Sequence, residues 1–302
     1  MQAFIPGIYP RSEELVQATR DLDRGRTTPE AVAEQVGRDL DDLVAVQKKA
    51  RLDLLADGML SWQDTFRPFV EGADGLEPGA LTRFLDTNTF YRAPNATSDA
   101  PSLGQPLGDD YVAPLPGPRL VTLPSPFALA HGTGIAPKTI AEGVLKPQLD
   151  ALTDVELVVL SEPFLAREET ASLDDVAEAL TVLAGGPTLA LWLTFGSASR
   201  TLAHGVAELP VDAIGIDFYA TPATDVPDGF DKLLLAGVLD ARNSTLEDPR
   251  EIASFAATLR ARGVTEVALV PNGDLQYVSE SIARQKLARL GAAKTASVEE
   301  AA

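Results

Sequence analysis

The feature that most constrains this chain is an alternation. Short, almost continuously apolar runs recur along it, separated by segments with the 3.6-residue period of amphipathic helices. Eight runs read as strands: "AFIPGIY" (3–9), "LDLLADG" (52–58), "RLVTLP" (119–124), "VELVVLS" (155–161), "LALWLT" (189–194), "AIGIDF" (213–218), "LLLAGVLD" (233–240) and "EVALVPN" (266–272). Runs apolar at successive positions fit strands buried on both faces, as in a parallel sheet wrapped by helices. Eight strands with helices between them predict an α/β fold, the (β/α)8 or TIM barrel. A doubly wound sheet is the alternative. It lacks support, because neither a GxGxxG nor a Walker A pattern follows any strand.

The intervening segments carry helix signals. Ser12 opens "SEELVQATRDL", and Thr28 with Pro29 opens the long segment that follows. Ser172 opens "SLDDVAEALTVLAGG", with Asp175 at the capping-box position and Gly185-Gly186 as the stop. Asp248-Pro249 opens the next helix, and "SESIARQKLARLGAAK" reads as the last. Residues 71–118 break the rhythm, being rich in Pro, Gly, Asp and Asn. They are expected to make an excursion over the barrel mouth, in which "RFLDTNTFYRAP" can pair as a hairpin. The domain reading is one barrel over 1–292 containing that excursion, with 293–302 a disordered tail.

Composition narrows the chemistry. The chain has no cysteine, which excludes disulfides, thiolate-bound zinc and cysteine nucleophiles. With two histidines, His131 and His204, a three-histidine metal site is excluded as well. The net charge of −19 repels phosphate backbones and anionic lipid, so nucleic acid and membrane are not expected partners. No apolar run approaches the roughly 18 residues of a membrane span. The N-terminus lacks the pattern of a signal peptide, so a cytoplasmic protein is expected.

In a barrel the C-terminal strand ends and their loops build the site. That rule nominates Tyr9, Arg11, Asp57, Trp62, Asp64, Glu162, Asp240, Asn243 and Asn272 for substrate binding, with Asp217 and His131 as candidate acid–base groups. Ser161, Thr194, Tyr219 and Asp274 lie at the same ends. Asp57, Glu162, Asp217 and Asp240 are expected to share one polar mouth. The competing reading is structural: Asp at a strand end also caps the next turn, and Asp240 and Asn243 suit a loop. Trp62 and Tyr91 can stack on a planar ligand or form the core of a lid. His204, inside "SRTLAHGVAEL", reads as a helix residue.

Seven stretches, in order, resemble the cobalamin-independent methionine synthase family: "GIYPRSEEL", "VAVQKKARLDLLADGML", "PGPRLVTLP", "VVLSEPFL", "LWLTFGSASRTLAHGVAELPVDAIGIDFYA", "LAGVLDARNSTLEDPREI" and "LVPNGDL". The likeness is to its catalytic barrel in the short archaeal-type core form, without the N-terminal duplicate barrel. The wider superfamily includes uroporphyrinogen decarboxylase. The resemblance implies a TIM barrel that moves a methyl group from a folate or corrinoid donor (methylfolate or methylcobalamin) to a thiol such as homocysteine, with no tightly bound cofactor. It also implies a zinc held by His-x-Cys after the fifth strand, Glu after the sixth and Cys after the eighth. The corresponding residues here are Leu193, Phe195, Asp217 and Gly273, so no metal ligands are assigned. The family's amine-gripping carboxylates correspond to Met59 and Ser161, with Glu162 kept.

Three functions follow from these observations. The first is a methyltransferase working without the usual zinc, with Asp217 or His131 as thiol base. The second is a small-molecule-binding barrel, or the partner of a zinc-bearing relative. A decarboxylase comes last, for want of an arginine-rich mouth.

Overall fold

The computed structural model describes residues 1–168 and 171–296. In chain order the strands are β1 (Gln2–Ala3), β2 (Ala73–Asp74), β3 (Leu76–Arg83), β4 (Phe90–Ala96), β5 (Ser102–Leu103), β6 (Leu120–Pro124), β7 (Leu157–Glu162), β8 (Thr188–Leu193), β9 (Ala213–Asp217), β10 (Leu233–Leu239) and β11 (Glu266–Pro271). Among the described residues the main sheet has seven strands, in the order β1-β11-β10-β9-β8-β7-β6, all parallel. The segment around Leu55 fills the remaining position. Leu55 bridges Arg119 in parallel, donates to the Pro118 carbonyl and accepts from Leu120 N–H, both at 2.9 Å. On its other side Asp53 N–H donates to the Ala3 carbonyl at 2.9 Å. These bonds close the curled sheet into the TIM-barrel arrangement that the eight apolar runs predict.

The first predicted strand is shorter than its apolar run. Only Gln2–Ala3 pairs as a strand, with Phe4 N–H adding one bond to the Leu269 carbonyl. Pro6 has no N–H to offer a ladder. Gly7, at φ +80°, then turns the chain across the barrel end. The 52–58 run makes one bridge in place of a full strand.

The barrel interior is filled by side chains. Trp192 of β8 is fully buried, and its ring lies where a Cβ on Gly215 would come within 2.4 Å of it. A glycine on the neighbouring β9 therefore makes room for the indole. One hydrophobic cluster runs from Ala3 to Ala293 and takes in Leu76, Phe84 and Tyr91 of the excursion.

Helix starts fall where the capping signals place them. Ser12, Thr28, Ser172, Asp248 and Ser279 each accept a bond from a backbone N–H in the first turn of their helices. The helix layer is reduced after β8, where Ser199–Ala203 ends before Gly205 at φ +94°. His204 is the C-cap of that short helix and is exposed. After β9 a single 3-10 turn, Ala223–Asp225, stands in place of a helix. The last helix, Glu280–Ala293, is followed by Lys294, which bonds the Arg51 carbonyl and Asp53. Residues 297–302 of the tail lie outside the described residues. No helix among the described residues is long and apolar enough to cross a membrane.

Residues 71–118 form a β-arm. β3 and β4 make an antiparallel hairpin, and β2 pairs with β5 at its base. The tip, 84–89, is tied by Phe84 N–H to the Thr89 carbonyl at 2.9 Å.

Candidate functional site

All barrel strands point the same way, so their C-terminal ends share one face. The chain after β1 crosses that face. Gly7 N–H donates to Thr122 Oγ1 and Ile8 N–H to Asp274 Oδ1, both at 3.0 Å. A Cβ on Gly7 would stand 2.1 Å from Asp274 Oδ1 and 3.0 Å from the Trp192 ring. Backbone thus covers the barrel end, and only glycine fits there.

The strand-end carboxylates are committed mostly to their own loops. Glu162 is fully buried, accepts from Phe164 and Leu165 N–H at 2.8 and 2.9 Å, and takes the Ser125 hydroxyl. Asp217 accepts from Tyr219 N–H at 2.9 Å and from Asn272 Nδ2 at 3.0 Å. Asn272 Oδ1 in turn accepts from Ala241 N–H at 2.8 Å, so Asp217 and Asn272 join the ends of β9, β10 and β11. Asp57 accepts from Met59 and Ala113 N–H at 2.9 and 3.2 Å. Asp64 accepts from Phe66 and Arg67 N–H, both at 2.9 Å. Asp240 accepts from Arg242 N–H at 3.0 Å, and Asn243 from Thr245 N–H at 2.9 Å.

Burial pushes the carboxyl pKa values of Asp57, Asp64, Glu162 and Asp217 upward, against the pull of these donors. Asp274 is pushed up to about 6 by the same cause. Glu247, in the loop after β10, is a further hub. It binds the fully buried Lys286 through both oxygens at 2.8 and 2.9 Å and accepts from Asp240 N–H at 2.8 Å.

Other nominated residues point away from the mouth. Tyr9 is buried toward the last helix, near Arg284 and Glu280, and its hydroxyl finds no partner among the described residues. Arg11 sits beside Asp39 of the helix Pro29–Lys49. Trp62 is lid core: its Nε1 donates to the Tyr111 carbonyl at 2.8 Å, and its ring meets Phe69 and Tyr111 edge-on. His131 does reach the mouth's rim, stacking on Phe164 at 4.0 Å with Nε2 2.5 Å from Glu168 Oε1.

The hairpin closes the mouth. Phe84 at its tip meets Phe164, Phe195 and Tyr91, with ring centroids 5.3–6.2 Å apart. Phe195 follows β8 with φ +61°, a conformation uncommon outside glycine, and presents its ring to Phe84 and Tyr277. Beneath the arm, between Ile8, Phe66, Tyr91 and Tyr277, lies a cavity of about 20 Å³, room for about one water. Asp86 at the tip faces Arg167 and Arg242, each at 3.5 Å. The strand-end rule misses Phe84, Asp86, Arg167 and Arg242, because a long loop fills the mouth from outside the strand ends. Their only sequence signal is the hairpin pattern within 71–118 and the basic residue between Asp240 and Asn243.

The zinc centre implied by the sequence resemblance does not fit these residues. Leu193 and Phe195 are buried apolar side chains, Gly273 has none, and Asp217 is held by Asn272 and Tyr219. Among the described residues no group of three or more His, Asp or Glu side chains is arranged to hold a metal ion. A tetrahedral zinc needs about four such donors.

Residues 144–263 match the family model described as the N-terminal domain of cobalamin-independent synthase. The motifs resemble the catalytic barrel of cobalamin-independent methionine synthase, while the matched model is that of its N-terminal domain. The 5-methyltetrahydropteroyltriglutamate–homocysteine methyltransferase of Mycobacterium leprae is 28% identical over 223 residues, covering 67% of this chain and 29% of that protein. The enzyme of the same name from Streptomyces griseus is 28% identical over 242 residues, covering 71% of this chain and 31% of that protein. The chain thus spans under a third of the length of these relatives. In fold it is similar to a B12-independent methionine synthase from Shewanella solved in complex with selenomethionine, with a TM-score of 0.73, 17% identity and 89% of each chain covered. A putative vitamin-B12-independent methionine synthase from Listeria monocytogenes gives a TM-score of 0.71 at 13% identity, over 97% of this chain and 98% of that one. Over residues 144–263 the chain is similar to the N-terminal domain of cobalamin-independent synthase, and its barrel fold is that of the B12-independent methionine synthases.

Proposed function

We propose that this barrel serves methyl transfer from a methylated folate to a thiol such as homocysteine, as the metal-free barrel of a methionine synthase. Thiol activation then belongs to a zinc-bearing barrel, on the same polypeptide or on another. The observation that carries this reading is the match to the family's N-terminal domain. On that reading Leu193 and Phe195 are apolar mouth residues in their own right rather than replaced ligands. A corrinoid donor is set aside, since the matched family is cobalamin-independent by its description. The methylfolate donor and the thiol acceptor come from the relatives' names.

Chemistry argues against this chain activating the thiol itself. A free thiol near pKa 8.5 is only a few per cent ionised at neutral pH. Placing it against Leu193 and Phe195 would raise that pKa, because burial disfavours the thiolate. Asp217 and His131, the candidate bases, are already engaged by Asn272 and Glu168. What these residues can do is orient: Asp217 and Asn272 lock three loops at the mouth, and the aromatic set excludes water.

The test is methyl transfer from 5-methyltetrahydropteroyltriglutamate to homocysteine. The chain is assayed alone, with added zinc, and mixed with a relative's separately purified zinc-bearing barrel. The expected result is no turnover alone, with or without zinc, and a rate in the mixture about tenfold above that of the relative's barrel by itself, a barrier change of ~1.4 kcal/mol. Turnover by the chain alone at about 1 per second or faster would overturn the reading, as would a mixture no faster than the barrel by itself.

A further inference from the structure

We propose that a cavity on the outer wall of the barrel binds a small organic ammonium ion with an apolar body. The cavity, about 240 Å³, lies where the ends of β9 and β10 meet the helix Pro249–Ala261. Its walls are Phe218, Tyr219, Val238, Ile252 and Phe255. Asp217 points into the barrel, where it meets Asn272, so Phe218 beside it in the chain points outward. There its ring meets that of Phe255 edge-on, with centroids 5.0 Å apart. The cavity is thus separated from the mouth by the strands themselves.

A thin helix layer leaves this wall open. In a complete (β/α)8 barrel a helix after β9 covers the adjoining strands. Here the 3-10 turn Ala223–Asp225 follows instead, Phe218 and Phe255 are half-buried, and Tyr219 is 54% exposed. The space is close to the roughly 300 Å³ at which small-molecule pockets begin, and like them it is mostly apolar with a few polar groups.

The polar groups select a cation. Glu247 and Glu251 are the charged residues of the lining, and no lysine or arginine belongs to it among the described residues. Glu247 is balanced by Lys286, which is spent on it and on the Thr245 carbonyl, and its Oε1 accepts from the Tyr219 hydroxyl at 3.2 Å. Glu251 is exposed and has no ion pair or hydrogen bond among the described residues. Its place in the first turn of the helix favours the ionised form. Arg250 precedes it on the helix but is not part of the cavity wall. Tyr219 senses the same field: burial first, and then the charges of Glu247 and Asp240, push its hydroxyl pKa upward. Three aromatic side chains beside one uncompensated carboxylate suit an ammonium ion, since ring faces attract cations. An anion meets Glu251 and the ring faces unfavourably, and a neutral ligand forgoes both attractions.

The probe is benzyltrimethylammonium, titrated calorimetrically into the full chain at about 0.15 M NaCl, where distant charges are screened. Benzyl alcohol and benzoate keep the ring and serve as the neutral and anionic controls. The cation is expected to bind with a Kd of about 1 mM or tighter, and each control at least about fivefold more weakly. Glu251→Gln is expected to weaken the cation about threefold. Phe255→Leu, which keeps an apolar side chain and loses the ring, is expected to weaken it about fivefold. Glu178→Gln makes the same change of charge on the helix Leu173–Leu183 and is expected to leave the affinity unchanged. Circular dichroism checks that the variants are folded, and the exposed Glu251 keeps the test alive if Phe255→Leu is not. The assignment is overturned if the cation fails to bind at about 10 mM, or if either control binds as tightly. Unchanged affinity in a folded Glu251 or Phe255 variant overturns it too, as does an equal loss in Glu178→Gln. The measurement needs no turnover and uses none of the groups on which the methyl-transfer reading rests, so each stands or falls alone.

Discussion

Asp274 is buried where the chain after β1 crosses the barrel end, and it holds that crossing through Ile8 N–H at 3.0 Å. Burial moves its carboxyl from an ordinary 3.8 up to about 6. Between about pH 4 and 6 the native state therefore keeps a proton that the unfolded chain has released. The stability from this group is fully present below the unfolded value and is lost as pH rises through about 6. At ~1.4 kcal/mol per pKa unit the loss is about 3 kcal/mol. Asp274→Asn keeps an acceptor for Ile8 and cannot ionise. Urea unfolding at pH 4 and pH 7 is expected to show the wild type losing about 3 kcal/mol relative to Asp274→Asn. Parallel pH curves for the two proteins would contradict this.

At the scale of elements, glycines distinguish tight joints from open faces. Gly291 of the helix Glu280–Ala293 passes the end of the helix Pro29–Lys49 so closely that a Cβ would lie 1.7 Å from the Ala50 carbonyl oxygen. That oxygen is backbone and cannot swing aside. Gly291→Ala is expected to destabilise the fold by about 1–3 kcal/mol, since an overpacked contact forces the helices apart. Gly37, inside Pro29–Lys49, has nothing within 4 Å of its would-be Cβ. Gly37→Ala is expected to stabilise by about 0.5–1 kcal/mol, through helix propensity and reduced unfolded-state entropy. Thermal unfolding of both variants checks the pair. The same sign for both would contradict the close approach of Gly291 to Ala50.

For the whole molecule, charge sets the response to salt. A net charge of −19 on a chain of 302 residues loads the folded state with self-repulsion. Raising NaCl from about 0.1 M to about 1 M shortens the screening length from about 10 Å to about 3 Å. The melting temperature is expected to rise over that range. A melting temperature that falls or stays level would show that the ion pairs lost to screening outweigh the repulsion relieved.

The sequence by itself determined the barrel, because strand and helix signals are local. A run such as "LALWLT" is apolar at every position whatever its neighbours, and Ser12 or Thr28 caps the residues that follow it. The resemblance to cobalamin-independent methionine synthases was legible for the same reason, since the motifs sit on strand ends in chain order. Which carboxylate faces which group was decided only by the tertiary structure. Tyr9 and Arg11 turned toward the helix layer because Gly7 redirects the chain. Asp57, Asp64 and Asp240 each closed their own loop, as strand-end Asp commonly does. Phe84 and Asp86 came to rest on Phe195, Arg167 and Arg242, which follow them by 81 to 156 residues in sequence. Such contacts join parts of the chain that carry no mark of one another. They form only when the closed sheet brings the loops to one face, where burial and charge select the pairs.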